Sequence, residues 1–111
     1  MARTRIRVVW TEAATADLVE VVSFIARSSP VEARRLLIRL RSKADSLERT
    51  PLRGRVVPEL ASSGTRAWRE LIVKPYRIVY RVRKDAVSVG AVLDGRRDLE
   101  ELLLERLTRY P

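Results

Sequence analysis

Residues 66–97, RAWRELIVKPYRIVYRVRKDAVSVGAVLDGRR, decide the fold. Three runs rich in β-branched and aromatic residues lie close together there, at about 66–73, 76–83 and 86–93, with only Lys74-Pro75 and Lys84-Asp85 between them. Connections this short join antiparallel neighbours, so the runs form a meander. Within Pro75–Arg83 the residues alternate. Tyr76, Ile78, Tyr80 and Val82 fall on one side and Arg77, Val79, Arg81 and Arg83 on the other, the period of a strand with one buried face. The first set is expected to pack into a core, and the second to offer guanidinium groups to solvent.

Upstream, residues 5–10 (RIRVVW) alternate Arg5, Arg7 and Val9 against Ile6, Val8 and Trp10, which predicts another strand. Thr11 can cap a helix running to about Arg27, in which Ala14, Leu18, Val21, Val22 and Ile25 recur at helical spacing. Ser29-Pro30-Val31-Glu32 is a capping box with proline at the first helical position, so a second helix starts at Pro30. That helix buries Ala33, Leu36, Leu37, Leu40, Ala44 and Leu47, exposes Arg34, Arg35, Arg39 and Arg41, and stops at Thr50, before Pro51. Residues 51–64 read as a loop punctuated by Pro51, Gly54, Pro58 and Gly64. Beyond the meander, Asp98-Leu99-Glu100-Glu101 opens a short leucine-rich helix to about Leu107.

The order β-α-α-β-β-β-α is that of an α+β fold, with the helical hairpin packed on one face of a small, mainly antiparallel sheet and the opposite face left open for function. A chain of 111 residues, 46% of them hydrophobic, can bury one core, so 1–111 is read as a single domain. The 23 Lys and Arg outnumber the 14 Asp and Glu, and a net charge of +9 favours an anionic partner, either nucleic acid or an acidic protein. Cysteine and histidine are both absent, which removes thiol chemistry together with the commonest general base and metal ligand. Asp94, Asp98, Glu100 and Glu101 crowd a helix start, as the helix dipole favours, so neither a metal nor a cofactor is expected. No apolar run approaches the roughly 20 residues of a membrane span, and the N-terminus has no signal-peptide core; a cytoplasmic protein is the expectation.

The chain resembles the RelE/ParE superfamily of bacterial toxins from type II toxin–antitoxin systems, including proteins known for plasmid stabilisation. The resemblance rests on Trp10, Ala14, Asp17 and Leu18; on Ser29-Pro30 with Ala33; on Pro51, Gly54, Arg55, Val57, Pro58 and Glu59; on Arg69-Glu70-Leu71; on Tyr76-Arg77-Ile78-Val79-Tyr80-Arg81; and on Gly95-Arg96-Arg97-Asp98. The pattern is closer to the ParE branch. It implies a toxin neutralised by a cognate antitoxin, with an acidic, amphipathic C-terminal segment, in a hetero-oligomer. For the ParE branch it also implies inhibition of DNA gyrase by binding. For the RelE branch it implies cleavage of messenger RNA on the ribosome. A decayed member that only binds antitoxin is a third possibility.

RNA cleavage needs a base for the 2′-hydroxyl, an acid for the leaving oxygen and cations for the phosphorane-like charge. Arg69, Arg77 and Arg97 could supply the cations, and Glu59 is the candidate base; its competing role is an ion pair with Arg55 or Arg69. Tyr76 and Tyr80 share the core side, Tyr110 stands almost at the chain end, and the stretch where ribonuclease relatives keep a late tyrosine or histidine reads Leu102-Leu103-Leu104. Binding therefore takes precedence over catalysis. Arg69, Arg77, Val79, Arg81, Arg83, Arg96 and Arg97 are the residues expected to meet a protein partner.

Overall fold

A computed structural model describes residues 6–95 and 103–106. The helical hairpin forms as its caps dictate. The Thr11 hydroxyl accepts from the Ala14 amide at 3.1 Å to start α1 (Glu12–Ala26), and the Ser29 hydroxyl accepts from the Glu32 amide at 3.2 Å to start α2 (Pro30–Asp45). The second helix ends earlier than Thr50. A single 3-10 turn, Ser46–Glu48, tightens its last turn and still buries Leu47.

Five strands, β1 (Arg7–Trp10), β2 (Arg55–Val56), β3 (Trp68–Val73), β4 (Tyr76–Val82) and β5 (Ala86–Asp94), make one sheet in the order β1-β5-β4-β3-β2. β3, β4 and β5 are the expected antiparallel meander. β1 runs parallel to β5, Arg7 opposite Ala86 and Trp10 opposite Val89, an arrangement that requires the long helical crossover between them. The hairpin covers one face. Leu18, Leu36, Leu40, Ala44 and Leu47 pack there against Leu71, Ile78, Tyr80, Val87, Val89 and Val92. Ile78 and Tyr80 are buried and Tyr76 and Val82 half-buried, as their alternation requires.

Two expectations need correction. Residues 51–64 are not all loop: they contain β2 (Arg55–Val56), paired to Glu70 and Arg69, and the short helix α3 (Pro58–Ser62), which has proline in its first turn. The second sheet face is not left open. Val57 and α3's Leu60, with Leu103 from the helical residues 103–106, close over Trp68, Val79, Ala91 and Leu93. Val79 lies mid-sheet beneath this layer with no exposed surface, so it is a core residue and cannot meet a partner.

β1 is four residues long and β5 nine, so β5 outruns its neighbour. Side chains take over where the strand stops. The Asp17 carboxylate accepts from the Val92 amide at 3.0 Å, and Arg106 reaches the Gly90 carbonyl at 3.4 Å while gripping both oxygens of Asp17, at 2.8 and 3.1 Å. Gly90 is the extra residue of a bulge, since Val79 faces Ala91 but Tyr80 faces Val89. Among the described residues no helix is long and apolar enough to cross a membrane.

Candidate functional site

The second face carries a chain of four charges. Glu70 on β3 stands opposite Arg55 on β2, while Arg77 on β4 lies one register step along the same face. Arg77 Nε donates to one Glu70 oxygen at 2.6 Å, and Arg55 Nε donates to the other at 2.7 Å. The remaining nitrogens of Arg77 hold both oxygens of Glu59, at 2.6 and 2.7 Å, in a fork-to-fork pair across to α3. Glu70 is wholly buried and Arg77 only 6% exposed. The hydrogen bond from Arg77 holds the Glu59 carboxyl below its ordinary value of 4.5. The same carboxylates push the guanidinium of Arg77 further up. Among the described residues no buried side-chain nitrogen or oxygen lacks a hydrogen-bond partner.

This geometry changes the roles expected of two residues. Arg77 is not an exposed docking cation, because the short helix over the sheet brings a second carboxylate to it and excludes water. Glu59 sits in a helix and binds Arg77, whereas Arg55 belongs to Glu70.

Arg69 is on the other face. Its register partner is Tyr80, its guanidinium donates to the Gly54 carbonyl at 2.8 Å, and the Tyr80 hydroxyl accepts from the Gly54 amide at 2.8 Å. Glycine is required at 54: a Cβ there would lie 2.5 Å from the Glu70 carbonyl and 2.6 Å from the Tyr80 hydroxyl. Burial pushes the Tyr80 phenol up. Arg69 and Arg77 therefore do not converge on one phosphate.

Of the remaining expected contacts, Arg81 lies over the Trp68 ring at 5.8 Å and is half-exposed; Arg83 is exposed beside the strand end. Arg96, Arg97, the start of the last helix and Tyr110 lie outside the described residues.

One surface was not foreseen. β2 pairs only with Arg69 and Glu70, so the outer edge of β3 beyond them has no strand neighbour among the described residues. Beside this edge runs an open groove of about 490 Å³, lined by Ile38, Arg39, Ser42 and Lys43 of α2 and by Ile72 and Lys74 of β3 and its turn. Ile38 and Ile72 are 53% and 41% exposed. Among the described residues no carboxylate lines it. The exposed isoleucine inside the arginine-rich helix was its only sequence signal.

The geometry places the chain among known proteins. A family model described as the ParE toxin of the type II toxin–antitoxin system parDE matches residues 8–99. Toxin RelE2 of Caulobacter vibrioides is 40% identical over 84 residues, covering 75% of this chain and 88% of that protein. The fold is shared with a solved chain of the chromosomal ParDE system from P. aeruginosa, with a TM-score of 0.67 at 18% identity over 83% of this chain and 98% of that one. A family model that spans residues 8–99 and a relative 40% identical over 75% of the chain agree, and the chain belongs to the ParE toxin family of the RelE/ParE superfamily.

Proposed function

We propose that this protein is a ParE-type toxin that arrests growth by binding its target, DNA gyrase, and is held inactive by a cognate antitoxin. One observation carries the choice of binding over RNA cleavage: Arg77 occupies both oxygens of Glu59 and one of Glu70. A carboxylate held in that way is a poor proton acceptor, and the buried Tyr80 phenol is a poor one as well. The opposed positions of Arg69 and Arg77 further weaken a phosphate site. The ParE-like pattern of the chain is what supports gyrase as that target.

The antitoxin takes the groove between α2 and the β3 edge. An acidic, amphipathic segment adds backbone hydrogen bonds to the free edge, places apolar side chains on Ile38 and Ile72, and sets carboxylates against Arg39, Lys43 and Lys74. Arg81 and Arg83 lie away from this groove.

Purified toxin separates the readings. Loss of gyrase supercoiling, with ribosome-bound message intact, is the expected result. Cleavage of message with supercoiling untouched overturns it.

A further inference from the structure

The helical hairpin carries its charges unevenly. α1 contains Glu12, Asp17 and Glu20 and no Lys or Arg, whereas α2 contains Arg34, Arg35, Arg39, Arg41 and Lys43 against Glu32 and Asp45. Asp17 is committed to Arg106 and Arg35 to Glu32. Glu12, Glu20, Arg34 and Arg41 are exposed and form no ion pair with one another, although the two helices lie side by side. Apart from Ile38 in the groove, the same hairpin shows Val19, Phe24 and Val31, each more than half exposed. Isolated exposed apolar residues are ordinary, but three on one hairpin beside charges of both signs form a patch.

We propose that this outer surface joins a second copy of the chain, α1 of one protomer lying antiparallel across α2 of the other. A two-fold axis parallel to the helices, between α1 and α2, makes the contact isologous: acidic helix meets basic helix twice. The spacings agree. Glu12 and Glu20 are separated by about 12 Å along α1, and Arg34 and Arg41 by about 10.5 Å along α2, at 1.5 Å per residue. Antiparallel crossing sets Glu20 against the partner's Arg34 and Glu12 against the partner's Arg41, with Val19 and Val31 between them, and leaves the groove beside Ile38 to the antitoxin. Two helices of this length, packed about 9 Å apart, present a face of roughly 20 by 23 Å, about 460 Å² a side, at the small end of the range and in keeping with a weak, salt-sensitive dimer. An acidic helix from another protein would answer only α2 and leave Glu12 and Glu20 unpaired; a second copy answers both helices.

Sedimentation of the purified full chain over a range of concentrations and salt tests this. A dimer that weakens as salt rises is expected, and Glu20→Arg or Arg34→Glu alone should raise its dissociation constant at least tenfold. The double variant, Glu20→Arg with Arg34→Glu, should restore it. A chain without cysteine allows a second readout: Glu20→Cys with Arg34→Cys should form an inter-chain disulfide on mild oxidation. Circular dichroism establishes that each variant is folded. A monomer at every concentration, or a double variant no tighter than its single parents, overturns the proposal.

Discussion

The Nε of Arg77 lies 2.6 Å from a carboxylate oxygen of Glu70, a side chain with no exposed surface. Breaking such a pair leaves a buried charge uncompensated, at a cost of about 3–5 kcal/mol. Arg77→Ala should therefore lower the urea midpoint of unfolding severely. Any loss of toxicity would follow from loss of fold. A variant of near-native stability would show that Arg55 alone satisfies Glu70.

Glu59 gives this network a dependence on acid. Its folded pKa lies below 4.5, so its contribution to stability is complete above that value and is lost as pH falls through the folded pKa. Urea midpoints measured between pH 6 and pH 3 should fall more steeply for the native chain than for Glu59→Gln. Parallel slopes would mean that the Arg77 pair does not distinguish the two protonation states.

Tyr80→Phe separates a structural phenol from a catalytic one. The variant leaves the Gly54 amide without its acceptor and should lose about 1–2 kcal/mol in urea unfolding, while still arresting growth when expressed without antitoxin. Because burial raises the folded pKa of this phenol, its contribution is present below the ordinary value of 10.0 and fades as pH rises past it. Abolished toxicity in a stably folded variant would revive proton transfer by Tyr80.

Gly54→Ala should be more damaging than its added methyl group suggests. The new Cβ meets the Glu70 carbonyl and the fixed Tyr80 ring together, so relief requires backbone movement at the start of β2. Overpacking of this kind costs about 1–3 kcal/mol. Thermal unfolding measures it, and an unchanged midpoint would show that the 51–54 turn relaxes freely.

Asp17→Asn weakens the grip of Arg106 on the β5 edge. The Val92 amide, which donates to that carboxylate, should exchange with solvent deuterium faster, while the amide of Tyr80 in the sheet centre keeps its protection. Uniform protection across both would mean that the remaining contacts suffice.

The meander and hairpin were legible because their signals are local: Thr11 and the Ser29-Pro30 box start the helices, and Tyr76, Ile78, Tyr80 and Val82 mark the covered face. The two-faced burial was not. Period-2 alternation separates two sides of a strand without saying what will lie on each, and α3 is five residues inside a stretch rich in proline and glycine. Hence Arg77 and Val79 read as a solvent side. Arg69 and Arg77 also look like companions because both have odd numbers. Across the Lys74-Pro75 turn, however, each pair joins an odd residue to an even one, as Arg69 joins Tyr80 and Ile72 joins Arg77, so the two arginines fall on opposite faces. The candidate site failed in sequence at the point where pairing register, not composition, decides which side chains meet.

The groove between α2 and the β3 edge has a consequence for time as well as for affinity. Arg39, Lys43 and Lys74 line it with no carboxylate beside them among the described residues, on a molecule that buries Glu70 against its own arginines. A field of one sign draws in an acidic segment before any contact forms and can raise the encounter rate above the usual 10⁵–10⁶ M⁻¹s⁻¹ by about an order of magnitude or more. A newly made toxin would then be captured by its antitoxin faster than diffusion alone brings it to an uncharged target, and that head start would shrink as ionic strength rises.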